Sequence, residues 1–211
     1  MGRERDLARI RDALRAAADI LGRFSPARVA VIYKGANSPV TEADVAVDRA
    51  LRAMLSGPGE GWLSEESADD PQRLGRPRVW IVDPLDGTRE FLEGVPEWNV
   101  SIGLAEDGVA VAGGVFNPSR DELFLGAVGE GATLNGEPIT VSARPTLDGA
   151  TTLMHRWALR RLRPGDLPPG VVARQVGPLA YALALVAAGR AEAVWSRSEK
   201  AEWDIAAGTA L

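Results

Sequence analysis

The chain has 211 residues, 45% of them hydrophobic, enough to bury a sizeable core in one compact unit of one or two lobes. Lys and Arg total 24 against 29 Asp and Glu, and the net charge of -5 gives no general attraction to nucleic-acid polymers or anionic membranes. With no cysteine, any metal must be held by oxygen ligands or by the single histidine, His155, which favours hard cations. The N-terminal stretch MGRERDLARI lacks the apolar core of a secretory signal, and no apolar run is long enough to span a bilayer; the expectation is a cytoplasmic protein.

In chain order, Leu7, Ile10, Leu14, Ala17 and Leu21 recur at helical spacing up to Gly22 and predict an amphipathic first helix. A second is marked by Ala43, Val47, Ala50, Leu51, Met54 and Leu55, opened by Thr41-Glu42-Ala43-Asp44 and stopped at Gly57-Pro58-Gly59. Arg78 to Val82 reads as a short buried strand ending at Asp83, and residues 87–93 as a helical turn or short helix. From Trp98 the period becomes two, with turns at Asp107-Gly108, Asn117-Pro118 and Asn135-Gly136, which predicts an antiparallel meander. Residues 142–176, rich in Pro, Arg and Gly, show weak periodicity and read as a lobe boundary or variable wall. A helix follows Pro178, a strand is predicted over 192–195, and another helix starts at Trp203. Helices, then an antiparallel sheet, then alternating elements predict an α/β (α+β) fold, with an N-terminal lobe at 1–141 and a smaller one at 142–211.

The chemistry concentrates in IVDPLDGTREF, residues 81–91. Asp83 and Asp86 stand at the end of a strand, with Pro84 bending the chain so that both carboxylates can turn the same way. Converging carboxylates repel each other unless a cation lies between them, and Mg²⁺ accepts such oxygens together with water and phosphate. The Leu85 carbonyl is a further oxygen ligand, and Gly87-Thr88 opens a helical segment whose free N–H groups favour an anion. Taken alone, the same residues equally describe a turn with a helix cap. Ser64-Glu65-Glu66-Ser67 is by itself solvated loop charge, Asp204 in WDIAAG a helix cap, and Thr41–Asp44 a capping box; His155 reads as a surface or packing residue.

Together, SPVTEAD (38–44), SEES (64–67), DPLDGTREF (83–91) and WDIAAG (203–208), in that order, resemble the inositol monophosphatase superfamily of Mg²⁺-dependent, lithium-sensitive phosphatases, which includes 3′(2′),5′-bisphosphate nucleotidases and fructose-1,6-bisphosphatases. The resemblance runs from Lys34 to Leu211 and implies a layered αβαβα sandwich. It makes Glu65, Asp83, the Leu85 carbonyl, Asp86 and Asp204 the ligands of two or three Mg²⁺ ions, with Asp44 beside them. It makes Thr88, paired with Glu65, the residue that orients the attacking water, and the Gly87 and Thr88 N–H groups the phosphate cradle. It further implies lithium inhibition, a small phosphorylated metabolite as substrate and a homodimeric assembly.

For the substrate, Arg89-Glu90-Phe91 after DPLDGT resembles the bisphosphate nucleotidases, and Arg197 stands seven residues before Asp204, where inositol-type members carry a Glu. Arg197 suits a second phosphate. The expectation is hydrolysis of 3′-phosphoadenosine 5′-phosphate, with inositol 1-phosphate as the alternative and a non-hydrolysing phosphate-binding subunit as a reading of another class. Two departures stand out: Gly177-Pro178 replaces the family's Gly-Ser or Gly-Thr before a pocket-lining helix, and family members continue beyond the point matching Leu211, which predicts an incomplete second lobe.

Overall fold

The computed structural model describes residues 2–34 and 38–211. Its first helix, α1 (Glu4–Leu21), buries Ile10, Ala13, Leu14, Ala17 and Leu21, the stripe that the helical spacing predicts. Two short strands, β1 (Val31–Lys34) and β2 (Ser38–Thr41), pair antiparallel and lead into α2 (Glu42–Leu55). The capping box at the start of α2 forms as the sequence suggests, with the Thr41 hydroxyl accepting from the Asp44 N–H and the Asp44 carboxylate accepting from the Thr41 N–H.

The next strands are β3 (Gly61–Ser64), β4 (Arg78–Asp86), β5 (Asn99–Glu106), β6 (Val109–Asn117), β7 (Glu122–Ala127), β8 (Gly131–Leu134) and β9 (Glu137–Ile139), with α3 (Thr88–Glu93) between β4 and β5. They form one seven-stranded sheet in sequence order. β3 and β4 run parallel and every later neighbour antiparallel, as the meander predicts. The strand predicted over 78–82 is longer than expected because it continues, through a register shift between Asp83 and Asp86, into the Asp-Pro-Leu-Asp motif itself.

The irregular reading of 142–176 is corrected in part. Within it lie β10 (Thr151–His155) and β11 (Val172–Val176), with the single-turn α4 (Arg156–Leu159) between them. β10 pairs in parallel with β11 on one side and with β12 (Ala193–Val194) on the other. Parallel strands are covered on both faces and carry no alternation for a sequence pattern to show. Between β11 and β12 lies α5 (Leu179–Ala187), and α6 (Glu202–Thr209) follows.

The layers follow from which face each strand residue takes. Val100, Ile102, Leu104, Ala112 and Phe116 pack with α1 and α2 in one core. Alternate residues, such as Val115 and Phe124, join Leu153 of the second sheet and Ala180, Tyr181, Ala184 and Ala207 of α5 and α6 in another. α5 and α6 thus lie between the two sheets, and α6 packs across β4, β5 and β6. Among the described residues, no helix is long and apolar enough to cross a membrane.

Candidate active site

The C-terminal edge of the parallel pair β3 and β4 is where the acidic residues meet. Glu65 is the first residue past β3, tied by its N–H to the Val82 carbonyl at 3.3 Å. Asp83, buried to 2% exposure, faces Ser101 across the sheet, and its Oδ1 accepts from the Leu85 N–H at 3.1 Å. Pro84 and Leu85 occupy the register shift; the pairing resumes with Asp86 opposite Asn99, whose Nδ2 donates to Asp86 Oδ2 at 3.3 Å. That irregularity lets Asp83 and Asp86, three apart, share one site.

Gly87 caps α3 with φ of 94°, a left-handed conformation that suits glycine, and a Cβ there would come within 2.7 Å of Pro178 Cγ. At the sequence departure, Pro178 is the ring packed on Gly87, and a Cβ at the preceding Gly177 would meet the Glu97 carbonyl at 2.6 Å. Thr88, first in α3, has its hydroxyl 3.1 Å from Asp44 Oδ1 and 3.1 Å from the Leu85 carbonyl oxygen. Asp44 is fully enclosed, and its other oxygen accepts from the Thr41 N–H at 2.8 Å and the Thr41 hydroxyl at 2.5 Å. From the other side, Asp204 in the first turn of α6 accepts from the Ala201 N–H at 3.0 Å.

Electrostatics mark these carboxylates as a set. Burial first, then the charges of Asp86, Glu65 and Asp204, raise the Asp83 pKa well above the usual carboxylate range. Burial and then Asp204 push Asp86 up to about 8, against the hydrogen bond from Asn99. Asp44 is raised by burial, though the hydrogen bonds from Thr41 and Thr88 favour its ionised form. Among the described residues, no three His, Asp or Glu side chains close into a ready cage for an ion. The donor chemistry nevertheless fits a hard divalent cation, which would relieve the repulsion that raises Asp83 and Asp86 and which takes carboxylate and carbonyl oxygens.

Glu65, Asp83, Asp86, Thr88 and Asp204 line one cavity of about 240 Å³, together with Glu90, His155, Pro178 and Lys200. It adjoins a larger cavity of about 630 Å³, and His155, Leu179 and Lys200 belong to both. Arg197 falls in the larger one, half-exposed and paired with Asp166 at 3.0 Å, alongside Arg161, Arg163, Trp157 and Trp195. His155, read from the sequence as a surface or packing residue, lines both cavities. It sits at the end of β10 with Nδ1 turned to the Trp157 N–H at 3.4 Å and Nε2 3.9 Å from Glu90 Oε1, and burial lowers its pKa. A strand ending at His155 would be the one sequence signal for this placement.

A layered α/β fold with carboxylates, a strand-end carbonyl and a helix start gathered beside a cationic cavity defines a phosphoric monoester hydrolase of the metal-dependent kind. Residues 3–211 match the inositol monophosphatase family, and the chain belongs to it. It is 39% identical over 191 residues to an inositol-1-monophosphatase of Rhizobium meliloti, covering 86% of this chain and 71% of that protein. It is 34% identical over 196 residues to a histidinol-phosphatase of Chlorobaculum parvum, covering 90% and 73%. Its fold superposes with a TM-score of 0.86 on the extragenic suppressor protein suhB of Bartonella henselae, at 33% identity, over 98% of this chain and 83% of that one.

Proposed function

We propose that this phosphatase hydrolyses a small phosphate monoester whose alcohol part carries a second anionic group, with 3′-phosphoadenosine 5′-phosphate the leading candidate. One observation carries the reading: the acidic cavity shares His155, Leu179 and Lys200 with a larger one whose described lining carries Arg161, Arg163 and Arg197 against the acid Asp166. A cation site for the scissile phosphate beside a basic chamber fits a substrate charged at both ends. The chamber also presents the exposed Trp195, a surface on which a planar base can stack.

In this reading Glu65, Asp83, the Leu85 carbonyl, Asp86 and Asp204 hold Mg²⁺. The bound cation supplies Lewis-acid polarisation of the phosphoryl group and lowers the pKa of water. The Thr88 hydroxyl, donating to Asp44, keeps lone pairs free to fix the position of a water near the phosphorus, with Glu65 on the same cavity wall. The first-turn N–H groups at Gly87 and Thr88 have no acceptor one turn back and can bind phosphate oxygens. Lys200, shared by both cavities, bridges the two ends of the substrate. Lithium inhibition and a homodimer belong to the same proposal.

A second reading, inositol 1-phosphate, is favoured by the name of the Rhizobium relative at 39% identity. Relatives named for different substrates match at similar identity, so likeness alone leaves the choice open. Comparing kcat/KM for the two substrates with Mg²⁺, with and without lithium, tests the proposal. Preference for the nucleotide supports it; equal or absent turnover of the nucleotide rejects it.

A further inference from the structure

Asp204 is the one proposed ligand carried by a separate helix, far along the chain from Glu65, Asp83 and Asp86, so its place depends on how deeply α6 seats on the sheet. The seat is unusual. Gly103 of β5 and Gly113 of β6 are directly paired across the strands, and both face α6. A Cβ on Gly113 would lie 2.3 Å from the Ala207 carbonyl oxygen, and one on Gly103 would lie 2.8 Å from Ala206 Cβ and 3.0 Å from the Ala207 nitrogen. The obstacles are largely helix backbone, which cannot turn aside as a side chain can. Strand glycine is disfavoured unless another backbone must come close, as it does here.

Two further contacts fix the helix. The Ser101 hydroxyl, two residues before Gly103 on the same face, donates to the Trp203 carbonyl at 3.1 Å. On the opposite side of α6, Gly208 meets α5, where a Cβ would lie 2.5 Å from Leu183 Cβ. The helix is therefore clamped between sheet and α5, with its first turn pinned beside Asp83, the cross-strand partner of Ser101.

We propose that Gly103, Gly113 and Ser101 are positioning residues that set the depth and slide of α6 on the sheet and so place the Asp204 carboxylate against Asp83 and Asp86. The inference rests on the reading of Asp204 as a cation ligand. Side chains added at the glycines lift α6, and the carboxylate leaves the site although no ligand has been changed. Gly114 provides the comparison: its Cβ would meet the Ile10, Leu14 and Leu125 side chains on the other face of the sheet, at 2.6–2.8 Å, without touching α6.

The test is Tb³⁺ binding to the intact chain, read by tryptophan-sensitised luminescence, with thermal unfolding alongside. Gly113→Ala and Gly103→Ala are expected to weaken Tb³⁺ binding by about tenfold or more, the scale on which groups supporting metal ligands act. Gly114→Ala is expected to lower Tm while leaving Tb³⁺ affinity unchanged. Should both α6-facing glycine variants fail to fold, Ser101→Ala, which adds no volume, decides by the same readout. Wild-type affinity in the folded variants, or an equal loss in Gly114→Ala, overturns the proposal. Asp204→Asn separates the two readings: unchanged Tb³⁺ affinity there removes Asp204 from the site and the seat's role with it, whereas a loss there without one in the glycine variants overturns the seat alone.

Discussion

The Thr88 hydroxyl lies 3.1 Å from Asp44 Oδ1, joining the first residue of α3 to a carboxylate buried at the start of α2. The same Asp44 closes the capping box through its other oxygen, so one side chain caps α2 and holds the hydroxyl at the start of α3. Thr88→Val is expected to lower kcat by about 10²–10⁴-fold, the range for losing a positioned proton-handling group, with Thr88→Ser recovering most of it. A steady-state assay on any hydrolysed ester checks this; near-wild-type kcat in Thr88→Val would take the hydroxyl out of the reaction.

Asp86→Asn is expected to reduce kcat by at least about 10²-fold, the scale for removing one preorganised electrostatic group, with the fold retained. The amide keeps the volume and removes a group whose ionised form repels Asp83 and Asp204. Metal-free Tm should therefore hold or rise while activity falls. Activity close to wild type would remove Asp86 from the site.

The raised carboxylates predict how metal-free stability depends on pH. An Asp that titrates near 3.9 when unfolded but at about 8 when folded, as Asp86 does, keeps its proton in the native state over that interval. The native state then binds more protons than the unfolded one, so stability falls as pH rises from about 4 to about 8. Asp83 adds to the same trend. Mg²⁺ should flatten it by holding the ionised forms, with release of protons on binding. Tm measured across this window with chelator and with Mg²⁺ tests the prediction; a chelated protein that gains stability over the interval contradicts it.

Lys200→Ala is expected to raise KM for a doubly phosphorylated substrate by about tenfold, the equivalent of one charged hydrogen bond. Arg197→Ala should do less, because Arg197 is 56% exposed and already engaged by Asp166. A larger effect at Arg197 than at Lys200 would reverse this assignment of the second anion.

Away from the site, Glu60 accepts from Trp80 Nε1 at 2.9 Å and bridges Arg9 and Arg78. Trp80 is fully buried, so Glu60→Ala strands an indole donor. The expected cost is about 1–3 kcal/mol, roughly 2–12 °C in Tm for a chain of this size. Thermal unfolding of Glu60→Ala with activity followed at low temperature separates this from a catalytic effect.

Local pattern determined a large part of this protein. The apolar stripe of α1, the Thr41–Asp44 box and the Asp-Gly and Asn-Gly turns are contacts among residues close in sequence, so spacing alone carries them. The motifs around Glu65, Asp83–Thr88 and Asp204 were legible for the same reason, each being a short run on one element. The parallel strands β10 and β11 were not, because their partners are distant and their pairing leaves no alternating signature. Nor was His155, a lone side chain whose meaning came only when the end of β10 was laid beside Glu90 and Lys200.

The carboxylates and the glycine-threonine turn can be read from the chain directly, since they are properties of individual residues and short spacings. That α6 sinks onto the Gly103–Gly113 pair, that Pro178 closes on Gly87 and that a basic cavity lies beside an acidic one emerge from the folded arrangement. The physical reason is that close approach and electrostatic convergence are set by packing between elements remote in the chain, where burial and backbone contact, rather than local spacing, fix the distances.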